Sequence, residues 1–271
     1  MLEQIRSDGF AYAGLSGDEA DRMRMLHSEV DRFFAAGPSV NRRYGNARLS
    51  NGYRPPRSSY NNFDPSHADL NDSFLYWNPA AGSRIPHCDE IDPLLSALEG
   101  HRRGAVRRIM GALLAELADY HGYPHSLSFE NASVLQVNSY ADASDRELLQ
   151  MPHEDGTLAT IIWTSGPGLE ILTGNEVLPI DLAQDEVLVM PGGILSAMTA
   201  HRIQPAYHQV RNHGSESLRR KAIMYFGCPD IDRGPIRCYV TDESSPAVDI
   251  NEVIRTATDA YGLPADFVVD H

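Results

Sequence analysis

Residues 153–164 read His153-Glu154-Asp155-Gly156-Thr157-Leu158-Ala159-Thr160-Ile161-Ile162-Trp163-Thr164. The second half is a β-type run rich in branched and aromatic residues. The first half places a histidine and a carboxylate two positions apart, just before that run. Side chains at i and i+2 of an extended segment point to the same side, so His153 and Asp155 can meet one ion. Short runs of the same texture lie on both sides: SVLQVNSY from 133, LEIL from 169, EVLVM from 186 and KAIMYFG from 221. Gly, Pro, Asp and Asn punctuate them. Strands this short, divided by turns and not by helices, predict a sandwich or jelly roll and not βαβ units.

The flanks differ. Met23, Leu26, Val30, Phe33 and Phe34 recur at helical spacing within 17–36, with Ser16 or Asp18 as the cap. Residues 38–93 are rich in Pro, Asn, Ser and Tyr, with turn signals at Asn51-Gly52 and Pro55-Pro56. They predict a long, partly irregular segment of the kind that walls an entrance. Leu94, Leu98, Val106, Ile109, Leu113, Leu114 and Leu117 make a second helical stripe over 92–121. Arg102, Arg103, Arg107 and Arg108 lie beside it as a solvated face. A last helix is expected near 249–262. The expected fold is mixed and mainly β, a jelly-roll core flanked by N-terminal and C-terminal helices. It forms one domain over 1–271: a helical and loop part to 127, the core over 128–240, and a C-terminal helix and tail over 241–271.

Bulk properties exclude several classes. Twenty-three basic against 37 acidic residues give a net charge of −14, which repels phosphate backbones. No apolar stretch approaches the roughly twenty residues that span a bilayer. The N-terminus has no basic-then-apolar leader pattern. Cys88, Cys228 and Cys238 are odd in number and form no C-x-x-C pair. That fits a reducing compartment, and a cytoplasmic protein without nucleic-acid or membrane partners is expected.

H-x-D alone discriminates poorly. His67-Ala68-Asp69 and His87-Cys88-Asp89 fit it too, and His27-Ser28-Glu29 comes close. Only His153 and Asp155 lie in the predicted β core. Two His and one carboxylate on one face of an octahedron leave the other face open, the arrangement of a non-heme iron(II) centre. A third ligand from later in the core would be His201, His208 or His213. Arg220 opens the run KAIMYFG, where burial of a guanidinium calls for an anion. Asn138 and Tyr140 share a strand face and offer further hydrogen bonds. Glu154 should point the other way, to solvent at a strand edge.

These residues together resemble the iron(II)/2-oxoglutarate dioxygenases of the isopenicillin N synthase-like family. His153 to Thr160 resembles the pattern H-T-D-x-G-x-(L/I)-T with one spacer missing before the Gly. Gly166-Pro167-Gly168-Leu169-Glu170-Ile171 resembles G-G-L-Q-V. Val187 to Met190 with Gly193 is similar to V-x-x-G-D without its Asp. Thr199 stands nine residues before His208, as the family's Thr or Ser stands before its metal His, which selects His208 over His201. Outside 128–230, Gly9-Phe10, Phe33-Phe34, Gly52-Tyr53 and Asn71-Asp72-Ser73-Phe74 also fit. The family's Arg-x-Ser is Arg220-Lys221-Ala222 here, so a hydroxyl is missing.

The resemblance implies a double-stranded β-helix. It implies iron(II) on His153, Asp155 and His208, with 2-oxoglutarate held by Arg220, Asn138 and Tyr140. It further implies O2-dependent oxidation of a C–H bond of a small molecule, by hydroxylation, desaturation or ring closure. Arg48, Arg54 and Arg57 suggest an amino acid or amino-acid-derived secondary metabolite as substrate. The alternatives are a 2-oxoglutarate-independent oxidase with the same triad and a non-catalytic jelly-roll binding protein.

Overall fold

The computed structural model describes all residues except 47–50, 59–67, 80–84, 86, 124–126, 141–145, 175, 215–219, 231–235, 241–248, 251 and 253–271. The chain opens with helix α1 (Leu2–Asp8), strand β1 (Ala11–Gly14) and helix α2 (Gly17–Ala35). The Ser16 hydroxyl accepts from the Glu19 N–H, and the Glu19 side chain accepts in turn from the Ser16 N–H. This reciprocal cap satisfies two amides at the start of α2. Helix α3 (Pro38–Asn41), strand β2 (Gly52–Arg54) and strand β3 (Asp72–Trp77) follow, then α4 (Asp92–His101) and α5 (Arg107–His121). The barrel strands are β4 (Val134–Ser139), β5 (Leu148–His153), β6 (Ala159–Thr164), β7 (Leu169–Thr173), β8 (Glu176–Pro179), β9 (Glu186–Pro191), β10 (Tyr207–Arg211) and β11 (Lys221–Gly227). Helix α6 (Gly193–Met198) lies between β9 and β10.

The strands form two antiparallel sheets, a double-stranded β-helix. The larger has the order β1-β9-β6-β11-β4-β3-β2 and the smaller β5-β10-β7-β8. Both faces of the larger sheet are covered, so its strands read as continuous apolar runs. Ile161, Val189, Ile223 and Tyr225 face α2, α4 and α5 in the main core, while Ile162, Leu188 and Met224 point between the sheets. Alternation therefore decides which side chains enter the barrel: Arg220 and Ala222 line its interior cleft. Lys221, between them, is buried on the other side and pairs with Asp31 of α2 at 3.1 Å.

Several expectations change. The first 15 residues form α1 and β1, which the sequence pattern did not announce; β1 pairs with β9 and forms one edge of the larger sheet. The turn-rich stretch 38–93 also supplies regular structure among its described residues: β3 is paired to β4, and Phe74 is fully buried. The helix over 92–121 is broken by a π-turn at Arg102–Val106, where Gly104 leaves helical geometry (φ −90°, ψ −105°). That turn rotates Arg102 inward. It is 8% exposed and grips Glu99 through two nitrogens at 2.9 and 2.7 Å, so it does not belong to a solvated face. Arg103 and Arg107 remain exposed. The expected C-terminal helix lies almost entirely outside the described residues, as do His67 and Arg48.

Candidate metal centre and co-substrate pocket

His153 ends β5 and His208 lies at the start of β10, directly opposed across the smaller sheet. Their ring centroids are 4.2 Å apart. Asp155 follows β5 and turns back toward both: His153 Nε2 is 3.8 Å from its Oδ1, and His208 Nε2 is 4.0 Å from its Oδ2. The ring orientation comes from the backbone. His153 Nδ1 donates to Met151 O at 2.8 Å and His208 Nδ1 donates to Ala206 O at 3.2 Å. A carbonyl only accepts, so each Nδ1 carries the hydrogen and each Nε2 keeps its lone pair for an ion. Burial and the neighbouring His208 lower the His153 pKa, which also favours the neutral, ligating form.

Two imidazole nitrogens and one carboxylate oxygen thus lie within 4.8 Å of one another. A first-row ion about 2 Å from each donor fits between them. Among the described residues this is the one cluster of three or more such groups suited to an ion. Asp155 is held through both its carboxylate and its backbone carbonyl. Thr160 Oγ1 of β6 donates to Asp155 Oδ2 at 2.6 Å, and the Gly193 N–H donates to Asp155 O at 2.9 Å. Gly192 makes this approach possible: a Cβ there would lie 2.3 Å from Thr157 O and 2.5 Å from Asp155 O. The glutamate between the ligands does not simply face solvent. Glu154 is half-buried, its carboxylate lies against Gly193, and burial raises its pKa.

The rival histidines are elsewhere. His201 is exposed in a left-handed turn (φ +59°), its Nδ1 3.0 Å from Ser196 Oγ. His213 is exposed, His87 pairs with Asp92, and His27 packs edge-on against Trp163.

The same cleft contains Asn138, Tyr140 and Arg220. Arg220 is 2% exposed, and none of its three guanidinium nitrogens has a hydrogen-bond partner. Tyr140 Oη and Asn138 Nδ2 are likewise buried without a partner. Burial lowers the Arg220 pKa and raises that of Tyr140. A buried cation beside two unused donors is costly unless an anion joins them. A carboxylate has the charge and the lone pairs to satisfy all three. Ala222 lies opposite Asn138 in the β4–β11 register, so an amide borders the place where the resembled family has its hydroxyl.

Three features went unread in the sequence. Thr160 appeared only as a motif letter, Gly192 carried no signal, and Gln136 was not singled out. Gln136 lies two residues before Asn138 on the same face of β4 and donates through Nε2 to Asn138 Oδ1 at 2.8 Å. Its period-two spacing from Asn138 and Tyr140 was the available clue.

Comparison with known proteins agrees with this geometry. Residues 131–229 match the family model described as 2OG-Fe(II) oxygenase superfamily. "Probable flavonol synthase 5" of Arabidopsis thaliana is 26% identical over 151 residues, 54% of this chain and 46% of that one. The match therefore spans about half the length of that curated relative. Among solved structures, a full-length Neurospora crassa protein in complex with alpha-KG superposes with a TM-score of 0.78 at 16% identity, covering 96% of this chain and 89% of that one. The dioxygenase for auxin oxidation of rice superposes at 0.70 and 16% identity, covering 93% and 85%. These two likenesses concern the fold. The match is centred on the strands that carry the His-Asp-His group and Arg220, so residues 131–229 are similar to the 2OG-Fe(II) oxygenase superfamily.

Proposed function

We propose that this protein is an iron(II)- and 2-oxoglutarate-dependent dioxygenase that oxidises a C–H bond of a small molecule. The observation that carries the reading is the pairing, in one cleft, of a His-Asp-His donor set with the buried guanidinium of Arg220, which lies 5.1 Å over the Tyr140 ring and has no hydrogen-bond partner. In a 2-oxoglutarate-independent oxidase with the same triad, that guanidinium would serve a substrate carboxylate instead. On this reading His153, Asp155 and His208 hold the metal, and Arg220, Tyr140 and Asn138 hold the co-substrate.

Iron with 2-oxoglutarate and O2 supplies an oxidant able to take hydrogen from carbon, leaving succinate and CO2. The chain's own part is positional. Met151 and Ala206 carbonyls orient the imidazoles, and Thr160 orients Asp155. The apolar side chains of Ile162, Leu169, Met190 and Met224 line the same cleft and exclude water from it.

We further place the protein in the isopenicillin N synthase-like group, on the motifs of 128–230, and assign it an amino acid or amino-acid-derived metabolite of natural product biosynthesis. Arg54 supports an anionic substrate. It lies opposite Ser73, which lies opposite Asn138, so it shares the cleft-side face of the extended sheet. Burial lowers its pKa and Asp69 opposes that shift. The Neurospora crassa protein has also been solved with thymine, so this fold takes small molecules of that size. The odd count of three cysteines and the lack of a C-x-x-C pair support a reducing compartment such as the cytoplasm. No described helix is long and apolar enough to cross a membrane.

The test is anaerobic addition of Fe(II) and 2-oxoglutarate, followed by admission of O2. A visible charge-transfer band, then succinate formed in proportion to 2-oxoglutarate consumed, is the expected result. Substrate turnover without 2-oxoglutarate would sink the proposal in favour of an oxidase, and no band at all would favour a binding protein.

A further inference from the structure

Gln136 has a half-exposed side chain on the cleft-facing side of β4, beside the proposed co-substrate pocket. Its Nε2 donates to Asn138 Oδ1 at 2.8 Å. Asn138 is wholly buried, and its other amide atom, Nδ2, has no partner. A terminal amide has two ends of opposite character and can be turned to show either one. Here the oxygen is occupied by Gln136. The nitrogen therefore joins the guanidinium of Arg220 and the hydroxyl of Tyr140, so three groups able to donate gather there without hydrogen-bond partners.

We propose that Gln136 is a positioning residue: by taking the Asn138 oxygen, it fixes the amide so that its N–H groups face the co-substrate carboxylates. This rests on the functional reading above. Had Asn138 turned the other way, its oxygen would have accepted from Arg220 or Tyr140, consuming donors an anion needs and meeting the anion with a lone pair. Such a reversal both removes an attraction and adds a repulsion. Gln136 touches neither metal ligand in the hydrogen-bond pattern, so its effect should fall on 2-oxoglutarate and not on the metal.

Substitution Q136E provides the test. A carboxylate only accepts, so at position 136 it would draw Asn138 Nδ2 toward itself and turn Oδ1 into the pocket. Q136M can hold the amide in neither sense. The measurement is calorimetric titration of 2-oxoglutarate into anaerobic, Mn(II)-loaded full-length protein, with Mn(II) affinity measured separately. Expected is a 2-oxoglutarate affinity at least about tenfold weaker for Q136E and a smaller loss for Q136M, the scale of one charge-assisted hydrogen bond. Mn(II) affinity should stay within about twofold.

Through-space repulsion by the new charge is separated by repeating Q136E in an N138A background. If Gln136 acts through Asn138, the added loss there falls below about twofold. An undiminished loss in that background, or unchanged affinity in both single variants, overturns the proposal. Should Q136E fail to fold, Q136M compared with and without N138A decides the question by the same criterion. Wild-type protein that binds Mn(II) but no 2-oxoglutarate would instead overturn the functional reading itself.

Discussion

Thr160 donates its hydroxyl hydrogen to Asp155 Oδ2 at 2.6 Å, and both groups are buried. One oxygen of the carboxylate is thereby tied to β6, the strand that adjoins β11, while His153 and His208 come from the smaller sheet. The donor set straddles the barrel, and this hydrogen bond joins the two halves. Thr160→Val keeps the shape and removes the donor. Partners of this kind are typically worth about 10–100-fold in metal affinity. Fe(II) or Mn(II) titration should show a loss in that range with little change in secondary structure. An affinity equal to wild type would mean the bond merely packs the strand.

The three ligands themselves should behave as a unit. His153→Ala, Asp155→Ala or His208→Ala should each remove measurable metal binding at micromolar ion, whereas His201→Ala should leave it intact. His201 is exposed and turned toward Ser196, so losing it costs the cluster nothing. Loss of metal binding on His201→Ala would show that the distal ligand had been misassigned.

How much of this could be read beforehand depended on which faces each strand buries. The larger-sheet strands β4, β6, β9 and β11 announced themselves because both sides are apolar, as Ile161–Ile162 and Ile223–Met224 show. The smaller-sheet strands β5 and β10 did not. Gln150, Gln209 and Arg211 interrupt their apolar pattern, and the ligating histidines occupy the remaining places. Strand β3 was hidden by the Pro- and Asn-rich text on either side of it. The site was legible where chemistry demands a residue type: two histidines, an aspartate, an anion-seeking arginine. It was not legible where a residue acts through another. Thr160, Gln136 and Gly192 gain their meaning from a register and a close approach that no spacing rule encodes.

Gly192 gives a sharp test of that last point. Its φ of −111° suits any residue, so backbone strain is not the reason for glycine here. Space is the reason, since an added Cβ would meet two backbone oxygens at 2.3 and 2.5 Å. Backbone cannot swing away as a side chain can. Gly192→Ala should therefore displace the Asp155 segment. A fall in stability of about 1–3 kcal/mol, measured by denaturant unfolding, is expected together with weaker metal binding. Gly174→Ala, at an open site with φ +59°, should lower stability by about 1 kcal/mol and leave metal affinity alone.

Arg220 should separate binding from stability. Without an anion its guanidinium is a buried charge with three unused nitrogens. Arg220→Met removes that cost while keeping much of the volume. Replacing a poorly compensated buried charge by an apolar group is often neutral or stabilising by about 1–4 kcal/mol. The variant should therefore melt no lower than wild type in the absence of 2-oxoglutarate, yet bind it at least about 100-fold more weakly. The stabilisation that wild type gains from added 2-oxoglutarate should vanish with it. A variant that unfolds readily would show that Arg220 holds the barrel together and not a ligand.

The pH dependence of stability should be traceable to His101, at the end of α4. It is 4% exposed, and burial lowers its pKa from 6.5 to about 4, with Glu19 pulling weakly the other way. The unfolded chain protonates this imidazole near 6.5 and the folded chain only near 4. Between those values the unfolded state binds more protons, so stability rises with pH across the window and is lost on acidification from 6.5 toward 4. The full difference amounts to about 3 kcal/mol, from 1.36 kcal/mol per pKa unit. Glu19 works in a lower window: Arg108 holds its carboxyl at about 2, so its contribution is complete above 4.5 and fades as pH falls toward 2. His101→Gln removes the largest share of the upper titration, to which His153 and His121 also contribute because burial lowers their pKa values, and keeps the lower one. Denaturant midpoints measured from pH 7 to 4 should fall steeply in wild type and much less in His101→Gln, and equal slopes in the two proteins would reject the assignment.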